Sequence, residues 1–288
     1  MAPESQTWLD YRAKQATASS SIVGDLRVLP DVPGPGPGVR RDILVHVPAG
    51  AFEGERRYPV LYMLDGQNLF DAATSYSGEW GVDATLATLS GEGLELIVVG
   101  VPNAGDRRSF EYTPYPWRAG SGIQGAGGGA RAFLRYLVET VKPLVDAAFP
   151  TLDDRSATGI MGSSAGATLS LWACVQEGTT FGLIGAMSPA LQAGQAAMLR
   201  HLRHLPLLPD RVYIDVGLAE RAEFASDPAL RPWRKAFPTD ARRARAAFLA
   251  AGLTEPDRLR YLEEPAAIHH ETAWGRRLPD ALRFLFGR

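Results

Sequence analysis

Gly162-Ser163-Ser164-Ala165-Gly166 fits the spacing G-x-S-x-G, in which a serine hydroxyl can serve as a nucleophile. Ahead of it, Ala157 to Met161 is a short apolar run of the kind that forms a buried strand. Behind it, Leu169, Leu171, Trp172 and Val175 are spaced as the packed positions of a helix. A serine on such a sharp turn has a strained backbone and needs small neighbours, so that strand and helix can approach. Ser164 would stand exposed near the helix N-terminus, and the Ala165 amide would point at the oxygen that becomes negative during acyl transfer. An ordinary tight turn or a phosphate-binding turn has the same composition, so the partners decide.

A serine needs a base to remove its proton, and the base needs a carboxylate to orient it. The chain has five histidines, which narrows the choice. His201 and His204 lie three apart on a predicted helix; no cysteine or carboxylate cluster nearby would complete a metal site, and they read as surface residues. His269 and His270 follow the last predicted strand, where the order serine, acid, histidine puts the base; the spacing leaves both open. For the acid, Glu220 lies in a loop just beyond a predicted strand and can reach a neighbouring loop, so it is preferred. Asp215, inside that strand, remains the alternative, its direction depending on the pleat.

These residues must be carried by an alternation of strands and helices. Residues 1–21 read as an N-terminal arm or short helix, and residues 22–288 as one domain. Ile22 to Leu29 and Arg41 to Val47 alternate as half-buried strands, and Pro30 to Gly38 reads as a loop joining them antiparallel. Tyr58 to Leu64 and Leu94 to Val101 are nearly continuous in hydrophobicity, with helical spacing from Val82 to Leu89 between them, the βαβ signature of a parallel sheet. Pro102 to Gly129 is irregular. Ala130 to Phe149 is an amphipathic helix that Pro143 should kink or divide. Gly182 to Met187 and Arg211 to Gly217 are further strands, with a helical segment from Gly194 to Leu205 between them. Arg231 to Lys235 is irregular, and the helix Thr239 to Ala251 carries Arg242, Arg243 and Arg245 on a solvated face. Asp257 to Leu262 is the last strand and Glu271 to Phe286 the closing helix.

Composition narrows the chemistry. Of 288 residues 45% are hydrophobic and 22% charged, ample for a core. A net charge of −2 recommends neither nucleic acid nor an acidic membrane as partner. No run is long and apolar enough to span a bilayer, and the start lacks the basic and apolar segments of a secretory leader, so a cytoplasmic location is the default expectation. The single cysteine, Cys174, cannot form an internal disulfide and reads as a small buried hydrophobe.

Five segments stand together in a recognisable order: Leu64-Asp-Gly-Gln-Asn-Leu-Phe-Asp71, Gly162-Ser-Ser-Ala-Gly166, Met187-Ser-Pro189, Asp215-Val-Gly-Leu-Ala-Glu220 and His269-His-Glu-Thr-Ala-Trp274. From about Arg40 to the C-terminus the chain resembles the esterase D and ferric enterobactin esterase group, α/β-hydrolases related to feruloyl esterases and to the antigen 85 mycolyltransferases. The resemblance implies a mostly parallel central sheet with antiparallel N-terminal strands and helices on both faces. It implies Ser164 as nucleophile, Glu220 as acid, and His269 over His270 as base, because the family's histidine stands five before a tryptophan, here Trp274. The Gln67 amide looks like the second oxyanion donor beside that of Ala165, with Asp65 fixing their loop. Arg107, Arg108 and Tyr112 resemble a segment near the family's active-site mouth and would contact substrate or form a salt-bridged loop; Trp80 would line the pocket or pack in the core. Ala165-Gly166-Ala167 departs from the Met-Gly-Gly frequent after the family's serine, and this leaves the amide donor intact.

The expected activity is hydrolysis of a small-molecule carboxylic ester through an acyl-enzyme, with no metal or organic cofactor. Siderophore, aryl and short-acyl esters all suit this chemistry, and Arg107 with Arg108 would suit an anionic catecholate. Acyl transfer to an alcohol, or a non-catalytic binding role on the same fold, are the rival readings. Association into a homo-oligomer is left open.

Overall fold

The computed structural model of the chain describes residues 7–15, 21–116, 127–192, 194–220 and 236–287. Its strands are β1 (Leu9–Asp10), β2 (Asp25–Pro33), β3 (Arg40–Val47), β4 (Val60–Leu64), β5 (Ile97–Val101), β6 (Thr158–Ser163), β7 (Leu183–Met187), β8 (Arg211–Gly217) and β9 (Leu259–Glu264). They form one sheet in the order β1-β2-β3-β5-β4-β6-β7-β8-β9. Pairing is antiparallel from β1 to β5 and parallel from β5 through β9.

The near-continuous apolar strands serve both faces at once. In β4, Val60, Tyr62 and Leu64 point into one core and Leu61 and Met63 into the other; in β8, Val212, Ile214 and Val216 oppose Tyr213 in the same way. The first core is closed by α4 (Ala130–Tyr136), α6 (Ala165–Gln176), α7 (Gln195–Arg203) and α8 (Ala236–Ala250). The second is closed by α2 (Val82–Gly91) and α9 (Glu271–Phe286). This is the two-faced, mostly parallel architecture expected from the sequence.

Two local readings are corrected, at β2 and α8, and the expected division of the Pro143 helix is found. β2 does not stop before Pro30: a bulge between Leu29 and Val32, with Asp31 at φ 59°, carries the pairing with β3 on to Pro33. The extra residue is absorbed as local twist, so only Gly34 to Val39 remains as turn. The Pro143 helix is divided by a π turn over Leu137–Val141, followed by α5 (Lys142–Ala148). Proline has no N–H for the carbonyl four residues back and its ring crowds that carbonyl, and the wider turn relieves both. α8 includes Ala236 to Pro238, ahead of the expected Thr239, because proline is compatible with the early turns of a helix.

The arm is attached at Leu9–Asp10, which pairs with Val28 and Arg27, and at Tyr11, in the short helix α1 (Tyr11–Lys14). The buried Tyr11 hydroxyl donates to Asp71 at 3.1 Å. Arg231 to Lys235 and residues 117–126 of the irregular stretch lie outside the described residues. Among those described, no helix is long and apolar enough to cross a membrane.

Candidate active site

Parallel strands end together, and the chain ends of β4, β6, β8 and β9 deliver the four segments of the candidate site. At the end of β6, Ser164 takes φ 58° and ψ −121°, a conformation that costs a side-chain-bearing residue about 1–3 kcal/mol. Its neighbours hold it there: the Ser164 amide donates to Met187 O at 3.0 Å, and its carbonyl accepts from Thr168 N at 3.2 Å and Ala190 N at 3.3 Å. A Cβ on Gly162 would lie 2.8 Å from the carbonyl carbon of Gly166, whereas one on Gly166 would meet nothing nearer than 3.5 Å. Of the two glycines, only the first is demanded by the approach of strand and helix.

Opposite the serine, the loops after β8 and β9 are laced together. Leu218 N–H donates to Glu264 O at 2.9 Å and Ala219 N–H to Ala267 O at 3.1 Å. Gly217 permits this: a Cβ there would sit 2.1 Å from Ala267 O. The lacing sets Glu220 beneath His269, whose Nδ1 hydrogen-bonds a Glu220 carboxylate oxygen while Nε2 lies 3.0 Å from Ser164 Oγ. The imidazole is flanked by the Phe237 ring at 4.4 Å and by Trp274, nearly perpendicular, at 4.9 Å.

Glu220 is 1% exposed. Burial by itself pushes its carboxyl upward, but the hydrogen bond and charge of His269, with hydrogen bonds from Ser188 and the Gly217 amide, outweigh burial and hold it below the ordinary carboxylate range. One Glu220 oxygen accepts from Ser188 Oγ at 2.5 Å and Gly217 N–H at 3.0 Å, and the other meets His269.

The two alternatives are occupied elsewhere. Asp215 accepts both arms of Arg277, at 2.8 and 3.0 Å, and the Tyr213 hydroxyl at 3.1 Å. His270 caps α9, its Nδ1 accepting from Thr272 N–H at 3.2 Å. His201 and His204 are exposed, as read from sequence.

The loop after β4 begins at Asp65, in the left-handed region at φ 57°, and turns through a 3₁₀ segment, Gly66–Asn68. The Gln67 and Ala165 amides both fall at helix starts, where N–H groups have no intrahelical partner. Asp65 receives Arg108 through two bonds of 2.7 Å and Asn103 Nδ2 at 2.6 Å, and Arg108 also reaches Ser163 O at 3.4 Å. Thr74 Oγ1 donates to Gln67 O at 2.7 Å.

This geometry corrects three of the four candidate substrate contacts to their structural alternative. Arg108 is bound to Asp65, and Tyr112, wholly buried, accepts the Asp65 amide at 3.1 Å underneath the loop. Trp80 is buried against Trp274, with ring centroids 5.7 Å apart, so it packs in the core. Arg107 alone of the four is exposed, its guanidinium 5.7 Å from the Phe110 ring. Sequence reading missed Ser188, Phe237 and Asn103; Met187-Ser-Pro189 was the one visible signal for Ser188. Among the described residues no group of three or more histidine, cysteine or acidic side chains could hold a metal ion.

The family model described as "Putative esterase" matches residues 35–285. Protein YbbA of Bacillus subtilis is 23% identical over 250 residues, covering 86% of this chain and 93% of its own length. The siderophore triacetylfusarinine C esterase of Aspergillus fumigatus is 32% identical over 143 residues, 48% of this chain and 46% of that enzyme. The siderophore hydrolase EstA from Aspergillus nidulans superposes with a TM-score of 0.71 at 20% identity, covering 90% of this chain and 93% of EstA, which shows the shared fold. The chain therefore belongs to the esterase family and is a carboxylic ester hydrolase on the α/β-hydrolase fold.

Proposed function

We propose that Ser164, His269 and Glu220 are the catalytic triad and that the amides of Gln67 and Ala165 form the oxyanion hole. The observation that carries this is the continuous path from Ser164 Oγ to His269 Nε2, 3.0 Å, and from His269 Nδ1 to Glu220. Nε2 takes the hydroxyl proton as Oγ attacks the ester carbonyl carbon; the tetrahedral oxyanion is held by the two amides. Collapse expels the alcohol, which receives the proton from Nε2, and leaves an acyl-enzyme. Water, deprotonated by the same nitrogen, attacks the acyl carbon and releases the acid.

For substrate class, a siderophore ester is the preferred reading, supported by two relatives named for siderophore cleavage. Exposed Arg107 sits just past the end of β5, on the serine's side of the sheet, and suits an anionic ligand. Arg108, committed to Asp65, is withdrawn from that role.

Ser164→Ala tests the triad. Hydrolysis of a p-nitrophenyl ester should fall to background while circular dichroism and Tm stay those of the parent; retained turnover rejects the assignment. A parallel comparison of a trilactone siderophore with a feruloyl ester tests the substrate, and preference for the feruloyl ester rejects the siderophore reading.

A further inference from the structure

We propose that Ser188 and Trp274 are positioning residues of the triad, a one-way hydrogen-bond chain from indole to hydroxyl to Glu220 that fixes which carboxylate oxygen meets His269. The proposal rests on the triad assignment above and adds two buried side chains that act through Glu220 and His269.

Direction follows from donor chemistry. Trp274 Nε1 can only donate, and it lies 3.0 Å from Ser188 Oγ. Ser188 must therefore spend a lone pair on the indole, which directs its own hydrogen to the Glu220 oxygen at 2.5 Å. That oxygen also receives the Gly217 amide at 3.0 Å, so two donors hold it and the second oxygen is left for His269 Nδ1. A carboxylate at Nδ1 selects the tautomer with its proton there, leaving Nε2 bare to accept from Ser164.

Two further features suit a built device. Ser188 is wholly buried and holds φ 50°, an uncommon conformation for a residue with a side chain, with its amide on Asp215 O at 2.8 Å. Trp274 also presents its ring to the imidazole at 4.9 Å, so one side chain on the first turns of α9 sets both the acid and the base. A glutamate has one more rotatable bond than an aspartate, and the two bonds on its first oxygen remove that freedom.

Ser188→Ala and Trp274→Phe break the chain at different links, the second keeping an aromatic ring in the core. Each should lower kcat roughly ten- to a hundredfold with KM within about twofold, the range of a hydrogen bond to a charged group. The acid limb of the kcat/KM profile should move to higher pH, because a carboxylate that loses a donor is more basic and stabilises the imidazolium more. In ¹⁵N-histidine-labelled protein the low-field Nδ1 proton of His269 should shift or broaden. This NMR readout needs no turnover, and a packing defect alone would not move the acid limb. Wild-type kcat, pH profile and Nδ1 signal in a folded Trp274→Phe protein overturn the chain. Activity surviving in Ser164→Ala overturns the triad instead, so the two failures are distinguishable.

Discussion

Asp215 and Glu220 stand five residues apart at the end of one strand, both buried, both hydrogen-bonded, and have different roles. Asp215 is held by Arg277, a permanent cation, in a fork of two bonds that ties α9 to β8. Glu220 is held by a hydroxyl and an amide, both neutral, and keeps one oxygen for the His269 imidazole, whose charge would change during turnover in the proposed triad. An acid neutralised in advance cannot respond to a proton arriving next to it. A carboxylate kept ionised by neutral donors can, and that is the property a triad acid needs.

The widest separation should come from Glu220→Gln. Its amide preserves shape but cannot stabilise an imidazolium, so kcat for a p-nitrophenyl ester should drop by roughly three to four orders of magnitude. Thermal melting should register little of that change. A loss smaller than tenfold would dissolve the contrast.

Asp215→Asn should do the reverse. Arg277 would keep only Glu264, at 2.9 Å, as counter-ion, and losing the buried half of its pairing should cost up to about 3–5 kcal/mol of stability, read as a lower denaturation midpoint in urea. The kcat of the remaining folded protein should stay within a few fold of the parent. A collapse of kcat at full stability would move Asp215 into the machinery.

The smallest effect is on pH dependence. Because the folded-state value of Glu220 lies below its ordinary 4.5, the group stabilises the fold above that value and loses the contribution as pH falls through the folded one. Tm measured downward from about pH 5 should therefore fall less steeply in Glu220→Gln than in the parent. Equal slopes would mean that other carboxylates dominate the acid limb of stability.

Much of this was legible in the sequence because the chemistry sits at strand ends. Ser164 and Glu220 each follow an apolar run, and His269 an alternating one, that marks its strand, and the parallel sheet gathers those ends without further instruction. Asp215 was ambiguous because pleat direction depends on register, which pairing with β7 and β9 sets. Arg108 and Tyr112 were ambiguous for another reason. Their partner Asp65 is more than forty residues away, and a basic, aromatic loop looks the same whether it faces a ligand or braces a turn. The bulge at Asp31 and the π turn before Pro143 are answers to local strain, and sequence shows the strain but not which relief is chosen.

One consequence reaches back to the start of the chain. Burial, with Asp71 behind it, pushes the Tyr11 phenol up to about 12, so it keeps its proton across ordinary pH. Asp71 O in turn accepts from Thr74 Oγ1 at 3.1 Å, the hydroxyl that also grips the Gln67 carbonyl. A truncation that discards the arm as dispensable would remove β1 and also cut the outermost guy-line of the proposed oxyanion turn, so the damage would surface as slower chemistry besides a lost edge strand.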